Sequence, residues 1–170
     1  MMQEKPFVQV ENLVYQYPDE TLALRGINVS FYESDFVALI GQNGSGKTTS
    51  LNLFTGFLKP NSGTITFRDE DITGMPRYKV CQKGMARTFQ LCKPFLDFTA
   101  LQNVVVGRAY GQMPSHNLRQ AADEARHILD QVGLLSKEAT LVKDLTTMQR
   151  KRLELARALA TRPTLLLLDE

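Results

Sequence analysis

The stretch Phe36-Val37-Ala38-Leu39-Ile40-Gly41-Gln42-Asn43-Gly44-Ser45-Gly46-Lys47-Thr48-Thr49 decides the fold. Its first five residues are apolar without alternation, the pattern of a central parallel strand covered on both faces. The next residues fit G-x-x-x-x-G-K-[ST] between that strand and a following helical pattern. Each residue type has a physical role. The glycines let the backbone fold into a concave nest of N–H groups. A helix beginning near Lys47 adds the positive end of its dipole. Lys47 carries an ammonium to the outer phosphates of a nucleotide, and the Thr48 hydroxyl suits Mg²⁺. The spacing therefore predicts a phosphate-binding loop made by Gly41, Asn43, Gly44, Ser45, Gly46, Lys47, Thr48 and Thr49. The plainer alternative, a glycine-rich turn with a surface lysine, leaves the flanking strand and helix unexplained.

Outward from this loop, the N-terminal side reads as β. Phe7–Val10 alternates, Leu13–Tyr17 is rich in β-formers, and Leu22–Phe31 has a partial period of two. Pro18-Asp19-Glu20 and Glu33-Ser34-Asp35 are turns. On the C-terminal side the pattern becomes β–α alternation. Helices are expected over Lys47–Phe57, Pro76–Lys83, much of Leu101–Val132 and Thr147–Ala160, and strands over Thr64–Phe67, Met85–Gln90 and Leu165–Leu168. The expected organisation is a β arm and phosphate-loop core over 1–91, a helical subdomain over 92–145, and a helix plus final strand over 146–170. No repeat or flexible linker interrupts it.

Composition narrows the class. The 170 residues are 43% hydrophobic and 22% charged, ordinary globular usage rather than that of a disordered chain. Twenty Lys and Arg against 18 Asp and Glu leave a net charge of +2, which argues against a protein built to grip nucleic-acid phosphates. No apolar run approaches the ~20 residues of a membrane span, and the first residues lack the apolar core of a leader peptide. Cys81 and Cys92 lack metal-site or scaffold spacing, and His116 and His127 build no His-rich site. The expectation is a cytosolic domain with reduced thiols.

Asp169-Glu170 follows the apolar run Leu165–Leu168. A carboxylate at the end of a buried strand near a phosphate loop is where a second Mg²⁺ contact is needed. Asp169 is thus the candidate metal residue, and Glu170 the candidate base that polarises water. Taken alone, the two residues read better as the solvated end of a strand.

With three further segments, these motifs resemble the nucleotide-binding domain of an ABC transporter. Tyr15-Gln16-Tyr17-Pro18 resembles the aromatic loop, in which Tyr17 stacks on adenine; the alternative is a tyrosine packed on the sheet. Arg87-Thr88-Phe89-Gln90 resembles the Q-loop, whose glutamine, here Gln90, reaches Mg²⁺ and the attacking water; the alternative is a polar strand end. Leu145-Thr146-Thr147-Met148-Gln149 stands where the family has L-S-G-G-Q, and the following Arg150–Ala160 is similar to the helix after that signature. Thr146 keeps the hydroxyl and Gln149 is retained, while Thr147 and Met148 replace glycines. Thr146-x-x-Gln149 is also a capping box on purely local grounds. Arg150–Arg152 reads as a solvated helix face. Asp71–Pro76, Gly84–Gln90 and Arg150–Arg157 are most similar to ATP-binding subunits of branched-chain amino acid importers.

The resemblance implies an α/β P-loop NTPase with an antiparallel β arm and a helical insert, incomplete at its C-terminus because the family pattern continues past Glu170. It implies MgATP hydrolysis coupled to import of a small solute, with Glu170, Gln90 and Lys47 catalytic and Thr48, Gln90 and Asp169 at the metal. Thr146, Met148 and Gln149 would face the ATP of an opposite protomer. Implied partners are a second ATPase subunit, membrane permeases and, indirectly, a solute-binding protein, at the cytoplasmic face of the membrane. Three alternatives stay open: a non-hydrolysing half-site or truncated remnant, a soluble ABC protein of translation or DNA repair, and a small-molecule P-loop kinase.

Overall fold

The computed structural model describes residues 5–89 and 94–169. The chain forms two compact units, one ending at Arg77 and the other beginning at Tyr78.

The first unit is built on a four-stranded antiparallel sheet. Its strands are β1 (Val8–Gln16), β2 (Leu22–Phe31), β3 (Ser62–Phe67) and β4 (Glu70–Asp71), in the spatial order β2-β1-β3-β4. β1 is one strand where the sequence suggests two. Its inward residues change parity, from Val8 and Val10 to Leu13 and Tyr15, all buried. A strand changes parity only by inserting a residue, and the register with β2 slips between Val10 and Leu13. Asn12 sits there with φ 49°, a conformation asparagine tolerates, and its N–H donates to the Asn28 side chain at 2.9 Å. Ile65 and Phe67 of β3 complete the buried face, with the Phe7 ring edge-on to Phe67. Helix α1 (Lys47–Phe54) follows the glycine loop and buries Leu53 and Phe54.

Phe36–Ile40 departs from expectation. The segment forms no strand, and Phe36 (98%) and Ile40 (89%) are exposed. An unbroken apolar run reports a demand for cover, whereas a parallel ladder also requires a neighbouring strand. The sheet of this unit is wholly antiparallel and its four places are taken.

The second unit contains α2 (Arg77–Gln82, entered from the first unit), β5 (Met85–Arg87), α3 (Ala100–Tyr110), α4 (Leu118–Gln131), α5 (Thr147–Ala160) and β6 (Leu165–Leu167). β5 and β6 pair in parallel, Met85 opposite Leu165 and Arg87 opposite Leu167. The expected long helical stretch divides into α3 and α4, each started by a side-chain cap. Thr99 and Gln102 form a capping box, and Asn117 Oδ1 accepts from the N–H groups of Arg119 and Gln120. The three helices share a core of Ala100, Val104, Ala125, Leu129, Leu153, Ala156 and Ala160, closed by Leu134, Val142 and Leu145. Spacings of three and four place these residues on single faces, and the alanines allow close approach of the backbones. Arg108 of α3 is buried and ion-paired to Glu124 of α4, which also meets Arg162 at 3.0 Å. The Cys81 thiol is pushed up by burial, which keeps it protonated and inert. Cys92 lies outside the described residues.

Candidate nucleotide site

The glycine loop is shaped by its own backbone chemistry. Gly44 (φ 81°) and Gly46 (φ 90°) are left-handed, and at Gly46 a Cβ would come within 2.8 Å of the Leu24 side chain and 3.1 Å of the Ala23 carbonyl. A residue larger than glycine would therefore push the loop off β2. Ser45 N–H closes a turn on the Gln42 carbonyl at 3.2 Å, and Ser50 N–H reaches the Gly46 carbonyl at 2.8 Å as α1 begins. Among the described residues, the amides of Asn43, Gly44, Gly46, Lys47 and Thr48 donate to no backbone acceptor. Donors without a backbone acceptor at a helix start suit a polyanion. Lys47 Nζ donates to the Gly41 and Gln42 carbonyls at 2.7 and 2.9 Å, so the ammonium lies folded across the loop. Thr48 is exposed, and Thr49 is buried with its hydroxyl 2.9 Å from that of Tyr17. Tyr17 is half-buried and packs edge-on against Tyr15, ring centroids 4.9 Å apart. The loop, its helix and the candidate adenine-stacking tyrosine are thus gathered in the first unit.

The second unit carries the acidic and signature segments. Asp169 is buried at the end of β6, and its Oδ2 lies 2.5 Å from Nη2 of Arg87 at the end of β5. Thr88 continues the parallel pairing, donating its N–H to the Leu167 carbonyl at 3.0 Å, and its hydroxyl accepts the Asp169 N–H at 3.2 Å. Next along, Phe89 N–H donates to Oε1 of Glu154, a buried carboxylate of α5. The sequence by itself gives neither Arg87 nor Glu154 a role. The readable signal was a charged residue on an apolar pattern: Glu154 stands between Leu153 and Leu155, and Arg87 follows Met85-Ala86. Gln90 and Glu170 lie outside the described residues.

The signature segment is the N-terminus of α5. The capping box is present: Thr146 Oγ1 accepts from Gln149 N–H at 3.3 Å, and Gln149 Oε1 accepts from Thr146 N–H at 2.9 Å. Thr146, Thr147 and Met148 are exposed, Met148 by 63%. Arg150 turns back to donate to the Val142 and Lys143 carbonyls at 3.1 and 2.6 Å, so this residue of the basic run is a clasp. No group of three or more His, Cys, Asp or Glu side chains with metal-site geometry exists among the described residues.

A left-handed glycine loop feeding a helix through Lys47, with a carboxylate closing a parallel strand, defines a P-loop nucleotide-binding domain. The profile of the ABC transporter family matches residues 24–170, and the chain belongs to that family as its ATP-binding, ATPase domain. It is similar to the high-affinity branched-chain amino acid transport ATP-binding proteins LivG of Escherichia coli K12 (34% identity, 98% of this chain, 69% of the relative) and BraF of Pseudomonas aeruginosa (35%, 98% and 69%). It is also 36% identical to the spermidine/putrescine import protein PotA of Spiroplasma citri, over 98% of this chain and 46% of that one. Among solved structures, the ADP conformation of an ATP-binding cassette of an ABC transporter superposes with TM-score 0.81 (30% identity, 95% of this chain, 67% of that one). CbiO1 of Clostridium perfringens, part of the transporter complex cbiONQ, gives 0.82 (29%, 98% and 66%).

Proposed function

We propose that this chain hydrolyses MgATP to drive import of a small solute, of the branched-chain amino acid type. The observation that carries the reading is the loop of Gly41–Thr49, whose amides at Asn43, Gly44, Gly46, Lys47 and Thr48 donate to no backbone acceptor among the described residues, with a lysine already folded across it. Those amides and Lys47 hold the β- and γ-phosphates, and Tyr17 stacks on the base. Thr48, Asp169 and Gln90 hold Mg²⁺, an oxygen-rich set that suits a hard cation. Magnesium, when bound, neutralises charge on the phosphates. Glu170 takes the proton of the attacking water, and catalysis otherwise rests on positioning and fixed donors.

The solute class rests on the LivG and BraF relatives, whose names state branched-chain amino acid transport. Partners in this reading are a second ATPase subunit, permease subunits contacted through the helices of 92–145, and a solute-binding protein. The domain then sits at the cytoplasmic face of the membrane; no helix among the described residues is long and apolar enough to cross one itself. The test is uptake of labelled leucine, isoleucine and valine against spermidine in cells lacking this chain. Selective loss of branched-chain uptake supports the proposal; selective loss of polyamine uptake replaces it with the solute class named for PotA.

A second reading has one specific observation behind it. Met148 exposes a bulky side chain at the start of α5, where the family pattern has glycine. On this reading the chain binds ATP in a half-site that does not turn over. Phosphate release by the full protein with its partners separates the two: turnover abolished by Glu170→Gln supports hydrolysis at this chain's own site, and no turnover until Met148→Gly supports the half-site.

A further inference from the structure

The candidate metal carboxylate already has a cation. Arg87 and Asp169 lie 82 positions apart in sequence, yet the parallel pairing of β5 and β6 ends with them side by side, Nη2 to Oδ2 at 2.5 Å. Both side chains are withdrawn from water, 4% and 10% exposed. A buried ion pair with this contact persists only when geometry repays the desolvation of both charges. The surroundings supply that geometry. Thr88 ties the Asp169 backbone from the same strand end, and the Arg87 guanidinium lies 5.3 Å from the centroid of the Phe89 ring. Oδ1 of Asp169, by contrast, makes no hydrogen bond or ion pair among the described residues.

We propose that Arg87 is a positioning residue that acts as the resident counter-ion of Asp169, orienting its carboxylate through Oδ2 and setting how much Mg²⁺ the site requires. The inference rests on the reading of Asp169 as a metal residue. Half of the carboxylate is committed to a guanidinium, so an arriving divalent ion meets a partly neutralised ligand with a positive charge beside it. In this way the strand end keeps the Asp169 carboxylate placed before nucleotide arrives, while a stray divalent ion gains little from it. Only a metal that brings phosphate charge along overcomes the guanidinium.

The experiment uses the full-length protein and a fluorescent ATP analogue, titrated first in EDTA and then with increasing Mg²⁺. In Arg87→Met the affinity in EDTA is expected to match wild type, while the Mg²⁺ concentration for half-maximal enhancement of binding falls by at least about tenfold. Arg87→Lys, which keeps the charge, stays near wild type. The double variant Arg87→Met with Asp169→Asn buries no unpaired carboxylate and loses the gain. An unchanged or raised half-maximal Mg²⁺ in Arg87→Met, with Asp169→Asn losing the enhancement, overturns the inference and leaves the metal role of Asp169 standing. Full enhancement in Asp169→Asn instead removes that role. Should Arg87→Met not fold, the wild-type protein still decides. The ¹⁵N resonance of the Arg87 guanidinium, assigned by its loss in Arg87→Lys, is expected to shift when Mg²⁺ joins saturating ATP, and a resonance indifferent to Mg²⁺ overturns the proposal.

Discussion

The hydroxyls of Tyr17 and Thr49 lie 2.9 Å apart, joining the loop after β1 to the first turn of α1. A residue proposed to stack on a base is therefore also a strut for the helix that follows the phosphate loop. The two roles separate on substitution. Tyr17→Phe keeps the ring and loses the bond, at about 0.5–1.5 kcal/mol of stability, with ATP affinity nearly unchanged. Tyr17→Ala also loses stacking, worth roughly 1–3 kcal/mol per base in nucleic-acid binders, and weakens ATP and GTP alike. Thermal melts and nucleotide titrations measure the two effects; equal affinities for all three proteins would remove Tyr17 from the nucleotide site.

Lys47→Ala is expected to weaken MgATP binding by more than about tenfold, because a charge-assisted contact to phosphate is worth about 1.5–3 kcal/mol. The lysine bonds to the Gly41 and Gln42 carbonyls in the structure, so its position is set by the loop itself. Titration with a fluorescent analogue tests this. Retained affinity would detach the loop from phosphate binding.

Thr146→Ala removes the hydroxyl that accepts the Gln149 N–H at the start of α5. The expected loss is about 1 kcal/mol, within the ~0.5–2 range of N-cap deletions, and Thr146→Ser should restore most of it. Denaturant midpoints check the order wild type, serine, alanine. A serine variant as unstable as alanine would mean that the methyl group, not the cap, matters here.

Acid should loosen the helical part of the second unit through Glu124. The hydrogen bond from Arg108 holds the Glu124 carboxyl below the usual glutamate range, the charges of Arg108 and Arg162 add to it, and partial burial opposes it. A carboxyl depressed in the folded state contributes stability above its unfolded pKa, about 4.3, and that contribution is lost as pH falls through the lower folded value. Between pH 5 and pH 3 the melting temperature of wild type should therefore drop more steeply than that of Glu124→Gln. Parallel slopes for the two proteins would mean that the Arg108 pair adds nothing.

What could be read from residues alone was what neighbours in sequence decide. Thr147–Ala160 is the predicted helix and is α5 residue for residue, since its cap Thr146 and its apolar spacing are contiguous in sequence. The left-handed glycines of the loop, β2 over Leu22–Phe31 and the inward Ala121, Ala125 and Leu129 were legible for the same reason. Tertiary structure decided whatever depends on a distant partner. Phe36–Ile40 declares its need for cover but cannot name a strand to pair with, and it stays outside both sheets. The two-residue β4 exists only because β3 offers it an edge. Arg87 and Glu154 read as ordinary charged residues until β5 pairs with β6 and Phe89 meets α5, where burial turns each into a paired group. A charge shows no sign in sequence of whether water or a partner will neutralise it, because desolvation is a property of the packed chain and not of the residue.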